Sequence, residues 1–376
     1  MGQLRLGRAA LACIVVGLAV WLYVAKASSR MPDFEVYWRA GARAAAAEPL
    51  YPSESYQLKY FPAFAIVAIP LGMLPHDAAK VVWFALSAGA LVMLLPLSVA
   101  ILPHRRKSTT FLIWALLIGL GKYYAQDLVL GQINTLVALA VTCTILAFAA
   151  RREALAGALL AFAVVLKPYA LILVPWVVAR RRRSSIVALA IGLIASCALP
   201  LLFYSLNETI ALHRDWWHIV TTTTVETLLD DRNVSLAATW AKWLGIGPVA
   251  AWLATGSSAA LLLAAALVFL RRNGVAHPDG LEAGMLIAMT PIISPQGWDY
   301  VLVLATTAMV YVVNDIDRLP RLLRLTTFAA IAAIGLSLYD LVGRRVLNTL
   351  LDLSVITIGM LVLMGALVTL RMRKLA

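Results

Sequence analysis

Apolar runs of helix length fill this chain, separated by short polar breaks. Twelve of them read as candidate membrane spans, at about 9–27, 77–101, 109–122, 131–150, 153–166, 168–180, 185–205, 248–270, 281–293, 299–313, 324–340 and 350–370. A helix needs about 20 mainly apolar residues to cross a bilayer core. The pattern predicts an all-α, polytopic transmembrane helical bundle forming a single integral membrane domain over 1–376. The run from Phe61 to Pro75 is also apolar, but Pro62 and Pro70 break it. It is expected to lie at the interface or to re-enter rather than cross. Residues 28–76 then form a first extracytoplasmic loop carrying interfacial helices, 206–247 a second, and 300–376 add only spans.

Basic residues orient these spans. Arg5 and Arg8, His104 to Lys107, Arg151-Arg152, Arg180 to Arg183, Arg271-Arg272, Arg318/Arg321/Arg324 and Arg371/Arg373/Lys374 alternate with far less basic connections. Placing all seven clusters in the cytoplasm turns every other connection outward. Arg344-Arg345 is the one pair that fits this scheme poorly. Ala25-Lys26-Ala27 resembles a cleavage site, but the first apolar run is long for a signal peptide, so a retained first helix is expected.

Composition agrees with a lipid environment. The chain is 62% hydrophobic, with a mean hydropathy of +0.86. Its net charge of +13 comes from 32 Lys and Arg against 19 Asp and Glu. Those cations sit in short clusters between apolar runs, with no aromatic-interleaved basic stripe, so no nucleic-acid partner is implied. Cys13, Cys143 and Cys197 all fall within apolar runs and show no metal or disulfide spacing. No Walker loop, dinucleotide glycine motif or His-Glu-x-x-His is present, and no cofactor is expected.

The unusual polar residues share one address, the outward loops. Asp33, Glu35 and Tyr37 open an amphipathic segment just past the first span. Carboxylates at a membrane boundary are costly to desolvate and mark function, although an aspartate here also suits a helix cap. Lys167 interrupts an apolar run directly before Pro168. A lipid phosphate would satisfy its charge, and snorkelling to headgroups is the bland alternative. Gln132 and Asn134 follow Gly131 at the start of a span. They either bind sugar hydroxyls or join helices. Asn233 lies in the long second loop, and Gln296, Trp298 and Asp299 lie in a Pro- and Gly-broken stretch between two short spans. Asp315-Ile316-Asp317 sits on the cytoplasmic side and reads as a solvated turn.

Taken in order, these motifs resemble glycosyltransferase family 87. They are Asp33-Phe34-x-Val36-Tyr37-x-x-Ala40-Gly41, Leu50-Tyr51, Phe61-Pro62 leading to Pro70-Leu71, Gly131-Gln132-x-Asn134, Ala156-Gly157 with Leu166-Lys167-Pro168, Asn233-x-Ser235-Leu236 and Ser294-Pro295-x-x-Trp298. The resemblance covers roughly residues 31–300. It implies a C-type glycosyltransferase fold of about twelve spans in the cell (inner) membrane, with an extracytoplasmic active site. The donor would be a polyprenyl-phosphate sugar, mannose above all, and the acceptor a hydroxyl of a lipid or glycan. Asp33 takes the place of the catalytic base. The chain departs from the pattern after Trp298, where it has Asp299 and Tyr300 and the family often has histidine.

These expectations define an inverting transfer. Asp33 deprotonates the acceptor, Lys167 steadies the leaving phosphate, and Glu35, Tyr37, Gln132, Asn134, Asn233, Gln296, Trp298 and Asp299 contact substrate. No metal is required. The competing reading is a transporter or flippase, whose polar site belongs near the bilayer midplane. A scaffold without chemistry is a third.

Overall fold

The computed structural model describes residues 16–52, 57–222, 227–271 and 277–373. Arg5, Arg8, Arg272 and Lys374, used above for orientation, lie outside the described residues. Among the described residues every regular element is a helix. The first part of the chain forms α1 (Val16–Ala27), α2 (Pro32–Ala45), α3 (Pro62–Val67), α4 (Ile69–Gly72), α5 (His76–Ala100) and α6 (Thr109–Leu130). Then come α7 (Asn134–Ala149), α8 (Glu153–Leu166), α9 (Val174–Ala179), α10 (Arg183–Ala198), α11 (Leu206–Thr222) and α12 (Leu236–Leu244). The remainder forms α13 (Pro248–Leu270), α14 (Asp279–Ile293), α15 (Thr306–Asp315), α16 (Arg321–Leu336), α17 (Tyr339–Asp352) and α18 (Val355–Met372). Short 3₁₀ turns precede α9 (Pro168–Leu173) and α15 (Asp299–Ala305).

Five of these helical stretches are long and apolar enough to cross a bilayer, and seven if the bent pairs α6–α7 and α16–α17 each count once. The sequence pattern had suggested twelve. The difference comes from runs that are apolar but short. Helix α8 has 14 residues, or about 21 Å at 1.5 Å per residue, against a hydrocarbon core of about 30 Å. Helix α14 is buried from Gly280 to Ile292. Its apolar run therefore packs against protein rather than lipid, and hydropathy alone cannot separate the two cases.

One expected span boundary differs, and the two expected outward loops contain helices. Helix α6 does not end at 122 but continues to Leu130, so Tyr123, Tyr124 and Asp127 are buried helical residues rather than a loop. The charge that seemed to end the run, Lys122, donates to the Ser337 carbonyl at 2.8 Å and to its hydroxyl at 2.6 Å, and the helix passes through it. The second loop contains a 17-residue helix, α11. Phe61 to Pro75 folds into α3 and α4, each far too short to cross.

The bundle has two chemically distinct ends. At one end Glu282, fully buried, takes ion pairs from Arg180 and Arg371 and a 2.9 Å hydrogen bond from the Trp176 indole. Arg182 bridges Asp279 at 2.5 Å and Glu153 at 3.6 Å beside it. Asp315 and Asp317 pair with Arg106 at 3.6 and 2.7 Å, and Asp315 is buried, so this acidic turn is an ion-paired junction rather than a solvated one. The basic clusters thus converge. Helix α7 starts at Asn134 and runs towards Arg151, and α8 returns from Glu153 to Lys167. The residues singled out as candidates gather at the opposite end.

Candidate active site

Helix α2 carries the first carboxylate inward. Pro32 fixes its first turn, Met31 occupies the position before it in a left-handed conformation, and no side chain caps the helix. Asp33 is therefore not spent on capping. Asp33 and Tyr37 lie one turn apart and share a face. Glu35 points away, pairs with Arg39 at 2.5 Å and stays about 44% exposed. It joins no other candidate residue.

Gly131 brings α6 and α7 against that face. It ends α6 with φ of 72°, and a Cβ there would stand 2.7 Å from the Phe34 Cβ, so both the turn and the close approach need glycine. The turn places Gln132 and Asn134, both buried, beside Asp33. Gln132 stands close enough to Asp33 to favour its ionised form. Asn134 accepts from the Lys167 ammonium at 2.8 Å through Oδ1. Its Nδ2 donates to Asp127 Oδ1 at 2.8 Å and lies 3.4 Å from Gln132 Oε1. Lys167 stands over the rings of Tyr169 and Tyr60, at 4.7 and 5.8 Å from their centroids. Pro168, which interrupts helical pairing, leaves Lys167 extended at the end of α8.

A second wall comes from two later segments that zip together. Val234 donates to the Gly297 carbonyl at 2.7 Å, and Asp299 to the Arg232 carbonyl at 2.9 Å. Across this zipper Arg232 pairs with Asp299 at 3.2 Å and lies 5.8 Å from the Tyr300 ring. Trp298 stacks on Tyr300 with an interplanar angle of 9°. Asn233 uses its amide on the Pro295 carbonyl at 2.8 Å and is buried, so it ties the two segments together. Gln296 accepts from Lys59 at 3.4 Å, and its carbonyl accepts from the Tyr169 hydroxyl at 3.1 Å. Tyr37 bonds Tyr60 hydroxyl to hydroxyl at 2.6 Å beneath Asp33.

Electrostatics tune the two central groups in opposite senses. Burial raises the Asp33 carboxyl above the usual carboxylate range, against Gln132 and the positive fields of Lys167 and Arg232. Desolvation outweighs the neighbouring cations. Burial lowers Lys167 to about 8, against the fields of Asp127 and Asp33. A carboxylate able to take a proton thus faces a cation close to neutrality, with aromatic rings between and around them.

Sequence reasoning missed four contributors. Asp127 lay in a stretch assigned to a loop, and Lys122 was taken for a span end. Arg232 lies in the long second loop next to Asn233 and was not singled out there. Tyr60 carries no motif. A usable signal existed for Asp127 alone, a carboxylate between two apolar runs four residues before Gly131.

The arrangement sets a carboxylate near a cation at one end of the bundle, and comparison with known proteins gives the class. A model of glycosyltransferase family 87 matches residues 58–295, more than half of the chain, and the chain belongs to that family. It is a membrane glycosyltransferase. The match takes in Gln132, Asn134, Lys167 and Asn233 and begins after Asp33. No curated protein and no solved structure matches the chain significantly.

Proposed function

We propose that this enzyme moves a sugar, mannose in the first instance, from a polyprenyl-phosphate donor to a hydroxyl of a lipid or glycan acceptor. The observation that carries the reading is the meeting of Asp33, Gln132 and the Lys167 ammonium at one end of the bundle. The acceptor oxygen attacks the anomeric carbon, and its proton passes to the Asp33 carboxylate. The bond from that carbon to the phosphate oxygen breaks on the opposite side, and the electron pair leaves with the lipid phosphate. The anomeric centre inverts. Lys167 balances the growing phosphate charge, a contribution that exceeds its value in open water because the site is shielded by protein.

The same reading puts the site at the extracytoplasmic face of the cell membrane, with the basic end of the bundle in the cytoplasm. A C-type fold of about twelve crossings fits if short helices such as α8 and α14 cross as buried pieces, shielded from lipid by their neighbours. A carrier needs its polar site at the midplane. Clustering of the candidates at one end, with an ion-paired end opposite, favours the transferase.

Purified protein assayed against a panel of polyprenyl-phosphate sugars tests the proposal. Transfer from the mannose donor is expected, with Lys167→Ala raising the donor KM at least tenfold, as for a lost charge-assisted hydrogen bond. Transfer from a nucleotide sugar alone would refute the donor class.

A further inference from the structure

The hydrogen bonds around Asn134 have a direction, and that direction comes from one buried carboxylate outside the reacting pair. Asp127 is fully buried in the last turns of α6. Oδ2 accepts from the Thr135 amide at 3.0 Å and from its hydroxyl at 2.6 Å. Oδ1 accepts from Asn134 Nδ2 at 2.8 Å. An ionised carboxylate accepts only. It therefore holds the amide nitrogen of Asn134 towards itself and forces Oδ1 outward, where Lys167 donates to it at 2.8 Å. The same Nδ2 faces Gln132 Oε1 at 3.4 Å. Gln132 thus keeps its amide nitrogen for the Asp33 carboxylate, beside which it stands. One amide orientation sets both arms of the site.

We propose that Asp127 is the positioning residue of this site, fixing the Asn134 amide and, through it, both the Lys167 ammonium and the Gln132 donor to Asp33. The proposal rests on the donor reading above and names what keeps that site ordered. It also accounts for the spacing of Gln132 and Asn134: the two amides act in series, neither having to touch the sugar. The simpler role for Asp127 is to cap α7 through Thr135, which two of its bonds already do. A cap has no reason to influence Lys167.

The two roles separate in Asp127→Asn. Asparagine at 127 is nearly isosteric but offers donors as well as acceptors, so the Asn134 amide is free to flip and turn its nitrogen towards Lys167. Lys167 also loses the stronger of the two carboxylate fields that raise its pKa, keeping Asp33 and, around it, the Tyr60 and Tyr169 rings. The probe is geranyl phosphate binding to the full-length protein in nanodiscs, measured across pH. For D127N, affinity is expected to fall about tenfold, as for one charge-assisted hydrogen bond. The alkaline midpoint of binding should also move below that of the wild type, because Lys167 loses a field that raises its pKa. Unchanged affinity and an unchanged midpoint in D127N would overturn the proposal and leave a helix cap. Asn134→Ala keeps the Thr135 bonds of Asp127 and guards against an unfolded D127N. It is expected to lose the same affinity, and wild-type binding by N134A would equally refute the relay. Wild-type protein that binds no geranyl phosphate at any pH overturns the donor reading and the relay together.

Discussion

Arg232 and Asp299 hold each other twice, through an ion pair at 3.2 Å and through the Asp299 amide donating to the Arg232 carbonyl at 2.9 Å. The backbone link keeps both residues in register whatever their side chains do. The ion pair then decides where the guanidinium points, and its field reaches Asp33. This is the position at which the sequence departs from the histidine often seen in the family. Asp299→Asn is expected to fold, keep the zipper and lose transfer about tenfold as Arg232 swings free, with Arg232→Lys milder than Arg232→Gln. Equal activity in all three variants would show that this wall is scaffolding only.

The opposed shifts of Asp33 and Lys167 predict a bell-shaped dependence of kcat/KM on pH. Asp33 acts as a base only when ionised, so activity is lost as pH falls through its raised pKa, above the usual carboxylate range. Lys167 binds phosphate only when protonated, so activity is lost as pH rises through about 8. Lys167→Arg, charged at every accessible pH, should remove the alkaline limb and retain the acid one. An alkaline limb surviving in K167R would assign it to another group.

At the other end, Glu282 compensates two buried guanidiniums, from Arg180 and Arg371. Removing one partner of a buried ion pair strands the remaining charge, at about 3–5 kcal/mol. Glu282→Ala should therefore unfold at markedly lower temperature. Glu35→Gln, at an exposed surface pair, should shift stability by no more than about 0.5 kcal/mol. Thermal unfolding in detergent compares the two directly.

Convergence of the basic clusters predicts sidedness. Reporter fusions at Arg106, Arg182 and Arg373 are expected to report cytoplasm, and one at Lys59, which donates to Gln296 in the candidate site, the opposite compartment. Opposite signals from Arg106 and Arg182 would break the two-ended description of the bundle.

The ends of this bundle were legible in the sequence because they are written locally. Runs of arginine, a lysine before Pro168 and two amides after Gly131 each mark an end without knowledge of what packs where. The number of crossings was not legible, since the apolar run of α14 reads the same whether lipid or protein surrounds it. Glu282 hid within that run because its partners lie about a hundred residues before it and some ninety after it. Asp33 and Lys167 were singled out by chemistry alone, but the role of Asn134 needed the direction of its hydrogen bonds, which no spacing encodes. Asn233 was read as a substrate contact because it lies in the second outward loop and in one of the family-like motifs. Only the fold shows it bonded to the Pro295 carbonyl.

The central claim is that Asp33 takes the acceptor proton. Asp33→Asn keeps the size of the side chain and removes its basicity, and helix α2 does not depend on it for a cap. The most direct measurement is the single-turnover rate of sugar transfer from a polyprenyl-phosphate donor by wild-type and D33N protein, with donor binding measured alongside. The account predicts near-normal donor binding and a rate lower by at least about 10²-fold, as for a lost general base. Transfer by D33N at close to the wild-type rate would contradict it.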